Sequence, residues 1–144
     1  MKENDEDKKF GQIASTIEVK TVEDFLHENY LPYAYYVIRN RALVGVDGLK
    51  PVNRRIVYSM YLLKLGPSSK TIKAQMILGD VMGKYHPHGD SGISGGMSHM
   101  AQDFATRVRL IEPEGSVGYS TGDRAAAPRY WEARLTKPAM ELLR

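Results

Sequence analysis

Glycine and proline punctuate this chain so closely that its apolar residues are confined to short, separately packed elements. Val44-Gly-Val-Asp-Gly48 reads as a turn, Gly66-Pro67 as a stop, His86-Pro-His-Gly89 as a second turn and Gly115 as a third. The stretches between them carry two periods. Thr21-Val-Glu-Asp24 has capping-box spacing, a threonine N-cap with a carboxylate three residues on. Phe25, Leu26, Tyr30, Tyr33, Ala34, Val37 and Ile38 then recur at helical spacing and predict a helix to about Arg41, bent near Pro32. Its tyrosine stripe (Tyr30, Tyr33, Tyr35, Tyr36) reads as core or oligomer interface rather than a cofactor site.

Pro51 suits the first turn of a second helix reaching about Leu65, with Ile56, Val57, Met60, Leu62 and Leu63 as its apolar residues. Ser68-Ser-Lys-Thr71 opens a third, to about Lys84, and Asp90 or Ser91 caps a fourth, to about Phe104. From Arg107 to Tyr119 alternation replaces helical period: Val108 and Leu110, the Gly115 turn, then Val117 and Tyr119. That pattern predicts a β-hairpin. Helices followed by a hairpin predict an α+β, mainly helical domain of winged helix-turn-helix (CAP-like) type over residues 21–144. An N-terminal arm precedes it over 1–20, and the third and fourth helices form the DNA-binding pair. The fourth helix contains Gly92, Gly95 and Gly96, each about 1 kcal/mol worse than alanine in a helix. Either the surrounding fold enforces that helix or DNA orders it.

At 144 residues the chain fits one domain with a sizeable core. It has no cysteine, which excludes disulfides and thiolate metal sites and fits a reducing cytoplasm. No apolar run approaches 18 residues, and the polar, acidic first residues are not a signal peptide, so no membrane is expected. The net charge of +3 is unevenly spread. Residues 1–30 hold 4 basic and 8 acidic side chains, residues 31–90 hold 9 and 3, and residues 91–144 hold 7 and 6. A basic middle segment is the electrostatic footprint of a polyanion partner, although charge alone describes a solvated helix face equally well.

Three runs carry chemistry. Arg129-Tyr130 sets a permanent cation beside a phenol; the guanidinium can hold a phosphate oxygen, and a phenol needs a nearby cation or base to act as a nucleophile. The residue pair alone also describes a half-buried tyrosine at a strand end. Tyr85-His86-Pro87-His88-Gly89-Asp90-Ser91 clusters two imidazoles beside a helix start. Metal binding, phosphate recognition and a plain capped turn all remain open for it. Asp47-Gly-Leu-Lys50-Pro-Val-Asn53-Arg54-Arg55 puts Lys50 and Arg54 on one helix face, with Arg55 about 100° round, enough to neutralise one or two phosphates.

Together these runs resemble the breakage-reunion region of the A subunit of bacterial type IIA topoisomerases, DNA gyrase and topoisomerase IV. The resemblance runs from about Tyr30 to the end: Arg41-Ala-Leu, Asp47-Gly-Leu-Lys-Pro-Val, Arg54-Arg55, Gly79-Asp-Val, Gly83-Lys-Tyr-His-Pro-His-Gly-Asp-Ser91, Met100-Ala-Gln, Gly122-Asp and Arg129-Tyr130. It implies that Tyr130 attacks a backbone phosphate and becomes linked to the 5′ side of the break, with Arg129 stabilising the transition state. It implies further that Arg41, Lys50, Arg54, Arg55, His86, His88 and Ser91 line the DNA and the active-site pocket. Mg²⁺ and ATP are then expected on a partner B subunit, which carries the ATPase and TOPRIM domains, and no metal is expected on this chain. The implied partners are double-stranded DNA, a second copy of the chain and that B subunit, forming an A2B2 complex in the bacterial cytoplasm, associated with the nucleoid.

The chain also departs from the family pattern. Asn53 stands where histidine is common, and the stretch Arg41–Gly48 is one residue shorter than usual. Pro128 and Trp131 flank the tyrosine where methionine and a small hydroxyl residue are usual. Gly95 replaces the acid that pairs with Ser91 in anchoring quinolones, so a weak quinolone response is expected. The family continues into tower, coiled-coil gate and C-terminal domains that this sequence does not contain, which fits either a fragment or a naturally truncated variant. Two rival readings are a catalytically silent winged-helix DNA-binding fragment and a metal-dependent nuclease using His86 and His88.

Overall fold

The computed structural model describes residues 20–144. The arm expected over 1–20 therefore lies outside the described residues, Lys20 excepted. The chain divides into two compact units, one ending at Ile38 and the other spanning Arg39–Arg144.

In the first unit the Asp24 amide donates to the Thr21 hydroxyl at 3.1 Å, so the predicted cap forms and opens α1 (Val22–Phe25). A π-helical turn, Leu26–Tyr30, leads into α2 (Leu31–Val37), which carries Pro32 in its first turn. The bend expected at Pro32 is thus taken up by widening the turn before it, where a missing amide costs least. Tyr30, Tyr33, Tyr35 and Tyr36 are all exposed, so the stripe is not part of this chain's own core.

In the second unit α3 (Pro51–Leu62) begins with its proline at the first turn, as predicted. It stops short of Leu65 because Lys64 turns to φ 58° and Leu65 donates to the Met60 carbonyl, closing the helix before Gly66. The helix expected from Ser68 onward begins later than its pattern suggests. Ile72–Lys73 form a short strand, β1, and α4 starts only at Ala74, running to Lys84. The segment 72–73 is drawn into a sheet, and tertiary pairing outweighs local helix preference there. Next, α5 spans Asp90–Ala101, ending before the predicted Phe104, and no side chain caps it.

The hairpin expected across Gly115 does not form. β2 (Ile111–Glu114) pairs instead with β3 (Glu132–Leu135), which also pairs with β1, giving an antiparallel sheet in the order β1-β3-β2. The strand after the tyrosine outcompetes Val117–Tyr119 because it offers buried Ala133 and Leu135 to the core, whereas Tyr119 stays exposed. A short helix, α6 (Lys137–Glu141), is capped by Thr136, whose hydroxyl accepts from the Ala139 amide at 3.5 Å. The chain is accordingly mainly helical α+β with a small three-stranded sheet.

The core joins α3, α4, α5 and the sheet around Ile56, Met60, Ile77, Ile93, Met97, Ile111, Trp131 and Leu135. Burying each such side chain stabilises by roughly 1.5–3 kcal/mol relative to exposure. A glycine at 96 has a packing reason: a Cβ there would stand 2.9 Å from Asn53 Oδ1 and 3.4 Å from Ile56 Cδ1. Close approach of α5 to α3 therefore offsets part of the helix-propensity cost.

Candidate functional site

Ala127 to Tyr130 form a tight turn, with a 3-10 segment over Pro128–Tyr130, which packs against β1 and α4. Proline fixes its first residue in a conformation suited to that turn, and the Tyr130 amide donates to the Ala127 carbonyl at 2.9 Å. Immediately after it Trp131 is fully buried, and its carbonyl accepts from the Ala74 amide at 3.0 Å, where α4 begins. Tyr130 itself is 65% exposed, and the Arg129 guanidinium carbon stands 4.7 Å from the centre of its ring. That distance is within the range of a cation–π contact. A phenol in this setting is open to a large substrate and already beside a fixed positive charge.

The two histidines stand past the other end of α4, about 15 Å away along the helix axis by its rise of about 1.5 Å per residue. Here the backbone turns sharply, with the His86 amide donating to Val81 O at 2.9 Å and the His88 amide to His86 O at 2.8 Å. The imidazoles stack with centroids 4.4 Å apart. Arg55 Nη1 lies 2.6 Å from His86 Nδ1. A guanidinium can only donate, so Nδ1 accepts and a neutral His86 carries its proton on Nε2. Burial pushes the His86 pKa below the usual value, with His88, Arg55 and Arg41 adding repulsion of a second positive charge. Arg55, His86 and His88 are thus in contact with one another.

Arg54 behaves differently from its neighbour. Its Nε and Nη2 donate to the two Asp47 oxygens at 2.6 and 2.7 Å, and Nη2 also reaches Leu49 O at 3.1 Å. Asp47 further accepts from the Leu49 amide at 3.0 Å. The Arg54 hydrogen bonds hold the Asp47 carboxyl down at about 2. Lys50 is exposed at the N-cap of α3, just outside the helix, and makes no ion pair among the described residues. Arg39, Arg54, Arg55 and Tyr58 share the wall of an open cleft of about 650 Å³.

Ser91 lies exposed in the first turn of α5, with Gly95 one turn further on. A Cβ at Gly95 would meet no atom within 4 Å, so nothing crowds the base of a side chain there.

Sequence reasoning missed two ties that hold these groups. One is the Asp47–Arg54 pair, for which a seven-residue gap gives no signal. The other joins α3 to α4: the buried Ser59 hydroxyl donates to Asp80 Oδ2 at 2.8 Å, and Lys84 pairs with the same carboxylate. Lys84 and then Ser59 are the stabilising contacts that lower the Asp80 pKa. Among the described residues no three His, Asp or Glu side chains are grouped to hold a metal, and no helix is long and apolar enough to cross a membrane.

A family model for the A subunit of DNA gyrase/topoisomerase IV matches residues 41–144. The chain is 50% identical over 131 residues to the DNA gyrase A subunit of Staphylococcus epidermidis (strain ATCC 12228 / FDA PCI 1200), covering 90% of this chain and 15% of that protein. The DNA gyrase A subunit of Staphylococcus aureus (strain NCTC 8325 / PS 47) matches with the same identity and coverage. The chain therefore spans about 15% of the length of these curated relatives.

Proposed function

This chain belongs to the family of DNA gyrase/topoisomerase IV A subunits, and on that premise we propose that it is the DNA-binding and DNA-cleaving part of a type IIA topoisomerase. The observation that carries the reading is Tyr130, exposed on a proline-set turn with Arg129 against its ring. In the proposed step the Tyr130 oxygen attacks a backbone phosphorus as the bond from phosphorus to the 3′ oxygen breaks. The phenol gives up its proton and the departing 3′ oxygen gains one, leaving the 5′ phosphate on the tyrosine. The reverse attack by the 3′ hydroxyl rejoins the strand. Arg129 supplies a fixed positive charge where negative charge builds on the non-bridging oxygens.

The winged helix-turn-helix reading of α4 and α5, with β2 and β3 in place of a local hairpin, belongs to this proposal. DNA would run over Arg41, Lys50, Arg54, Arg55, His86, His88 and Ser91. In the proposed assembly two copies of the chain form a homodimer in which each tyrosine serves one strand. Mg²⁺ and ATP would be held by the TOPRIM and ATPase domains of a B subunit, completing an A2B2 complex in the bacterial cytoplasm. In this proposal the acids that hold the metal come from that partner.

The test is covalent trapping. The chain is mixed with a gyrase or topoisomerase IV B subunit, supercoiled DNA and Mg²⁺ and quenched with detergent. An adduct is expected that disappears in Tyr130→Phe while DNA affinity stays within about twofold. Salt-dependent binding without any adduct would reduce the proposal to a DNA-binding module, and cleavage that survives Tyr130→Phe would move the chemistry elsewhere. A companion proposal concerns drugs: with Gly95 in place of an acid the quinolone response is weak. Gly95→Asp should raise quinolone-stabilised cleavage several-fold, and an unchanged response would sink the idea.

A further inference from the structure

Tyr130 and Trp131 are sequence neighbours at opposite extremes of exposure, 65% against 0%. The phenol projects into solvent from a backbone that is locked on the next residue. Trp131 is among the largest fully buried side chains of the core, yet its indole Nε1 has no hydrogen-bond partner. Burying an N–H unpaired costs free energy, so the indole is held by its packing alone.

The end of β2 closes on this anchor. Gly115 has φ 124°, and a Cβ built on it would stand 2.8 Å from Trp131 Cβ, 3.1 Å from Trp131 Cα and 3.3 Å from the Tyr130 carbonyl oxygen. Those neighbours are backbone atoms and a Cβ, none of which can swing aside as a side-chain tip would. Any residue larger than glycine at 115 must displace the Tyr130–Trp131 backbone, and the left-handed φ adds its own strain. From the other side the Ala74 amide holds the Trp131 carbonyl, and β1 and β2 pair with β3 at Glu132. The nucleophile's backbone is gripped between two strands and a helix start, with Gly115 setting the spacing.

We infer that Gly115 and Trp131 are positioning residues for Tyr130: their contact sets where the phenol stands relative to a bound phosphate. The inference rests on the reading of Tyr130 as the nucleophile. Geometry errors near 1 Å at such a centre are enough to lower rates by about a hundredfold.

The experiment places 3-fluorotyrosine at position 130 of the full chain and records its fluorine NMR signal in the parent, in Gly115→Ala and in Trp131→Phe. Circular dichroism and thermal melting verify that each variant folds. Covalent-adduct rates with the B subunit, DNA and Mg²⁺ are measured alongside DNA affinity. The parent should give one signal. In Gly115→Ala that signal should move or split, and the single-turnover adduct rate should fall at least tenfold with affinity held within twofold. Trp131→Phe keeps a buried ring and covers the case in which Gly115→Ala does not fold; it should show the same changes at smaller size. A fluorine signal unmoved in a folded variant overturns the inference, as does a moved signal with an unchanged adduct rate. If the parent forms no adduct, the nucleophile reading fails, and the fluorine signal still decides whether this contact positions the tyrosine.

Discussion

The two ends of α4 hold their functional side chains by opposite means. At the start of the helix, Tyr130 is left almost free while everything behind it is buried backbone, indole and strand pairing. Past its far end, Arg55, His86 and His88 satisfy and stack on one another, and that cluster stays half open to solvent. Packing and strand pairing hold the first end, with the Lys73–Glu132 ion pair beside it. Polar contacts between titratable groups make the second adjustable. Under the proposed function, a nucleophile held still and a polyanion approaching elsewhere give reason to keep the two apart.

Substitution should separate these two kinds of support, and the largest effect belongs to the packed end. Trp131→Ala removes a fully buried ring and should cost about 3–5 kcal/mol of stability, read from urea unfolding. A loss near 1 kcal/mol would show that the indole is dispensable and would weaken the contrast.

At the polar end, Arg55→Ala should cost only about 1 kcal/mol, but it should change how His86 titrates. Arg55 is one of the groups that depress the His86 pKa, so its loss moves that pKa back up toward the ordinary histidine range. The sign follows from proton uptake. With the folded value below the unfolded one, the unfolded chain takes up its proton first as pH falls. The stability tied to His86 is therefore complete above about pH 6.5 and declines as pH drops from there to the lower folded value. Arg55→Ala should narrow that window. Histidine-resolved NMR titration measures it, and an unmoved His86 would mean the Arg55 contact carries no weight.

The smallest effect contrasts two cations of the proposed DNA-binding set. Lys50 has no counter-ion among the described residues, whereas Arg54 is matched by Asp47 at 2.6 Å. Lys50→Ala should lower the salt dependence of DNA binding by about one phosphate, and Arg54→Ala should lower it less. Equal slopes would show that the Asp47 pair opens when DNA binds.

Much of the fold was legible in the residues. The Thr21 cap, the proline start of α3 and the turn at His86–Gly89 each depend on one or two side chains acting on neighbouring backbone, and all three form. The misread elements share a different cause. Thr71–Lys73 and Val117–Tyr119 have local patterns that suit helix and hairpin, but β3 lies some sixty residues from the first and offers the second region's partner β2 a better-buried match. Similarly, Gly96 looked only like a weakness of its helix until Asn53 was found against it.

The candidate site divides along the same line. Sequence by itself determined which residue types are available: a tyrosine beside an arginine, two histidines at a turn, a basic run at a helix start, and motifs specific enough to identify the family. Only the tertiary structure decided that Arg54 is balanced by Asp47, that Arg55 bonds His86 and that Tyr130 stands exposed on a buried tryptophan. Local motifs arise from interactions across a few residues of backbone, which the sequence order itself supplies. Charge pairing and burial depend on which distant segments meet, and that is settled only when the whole core closes.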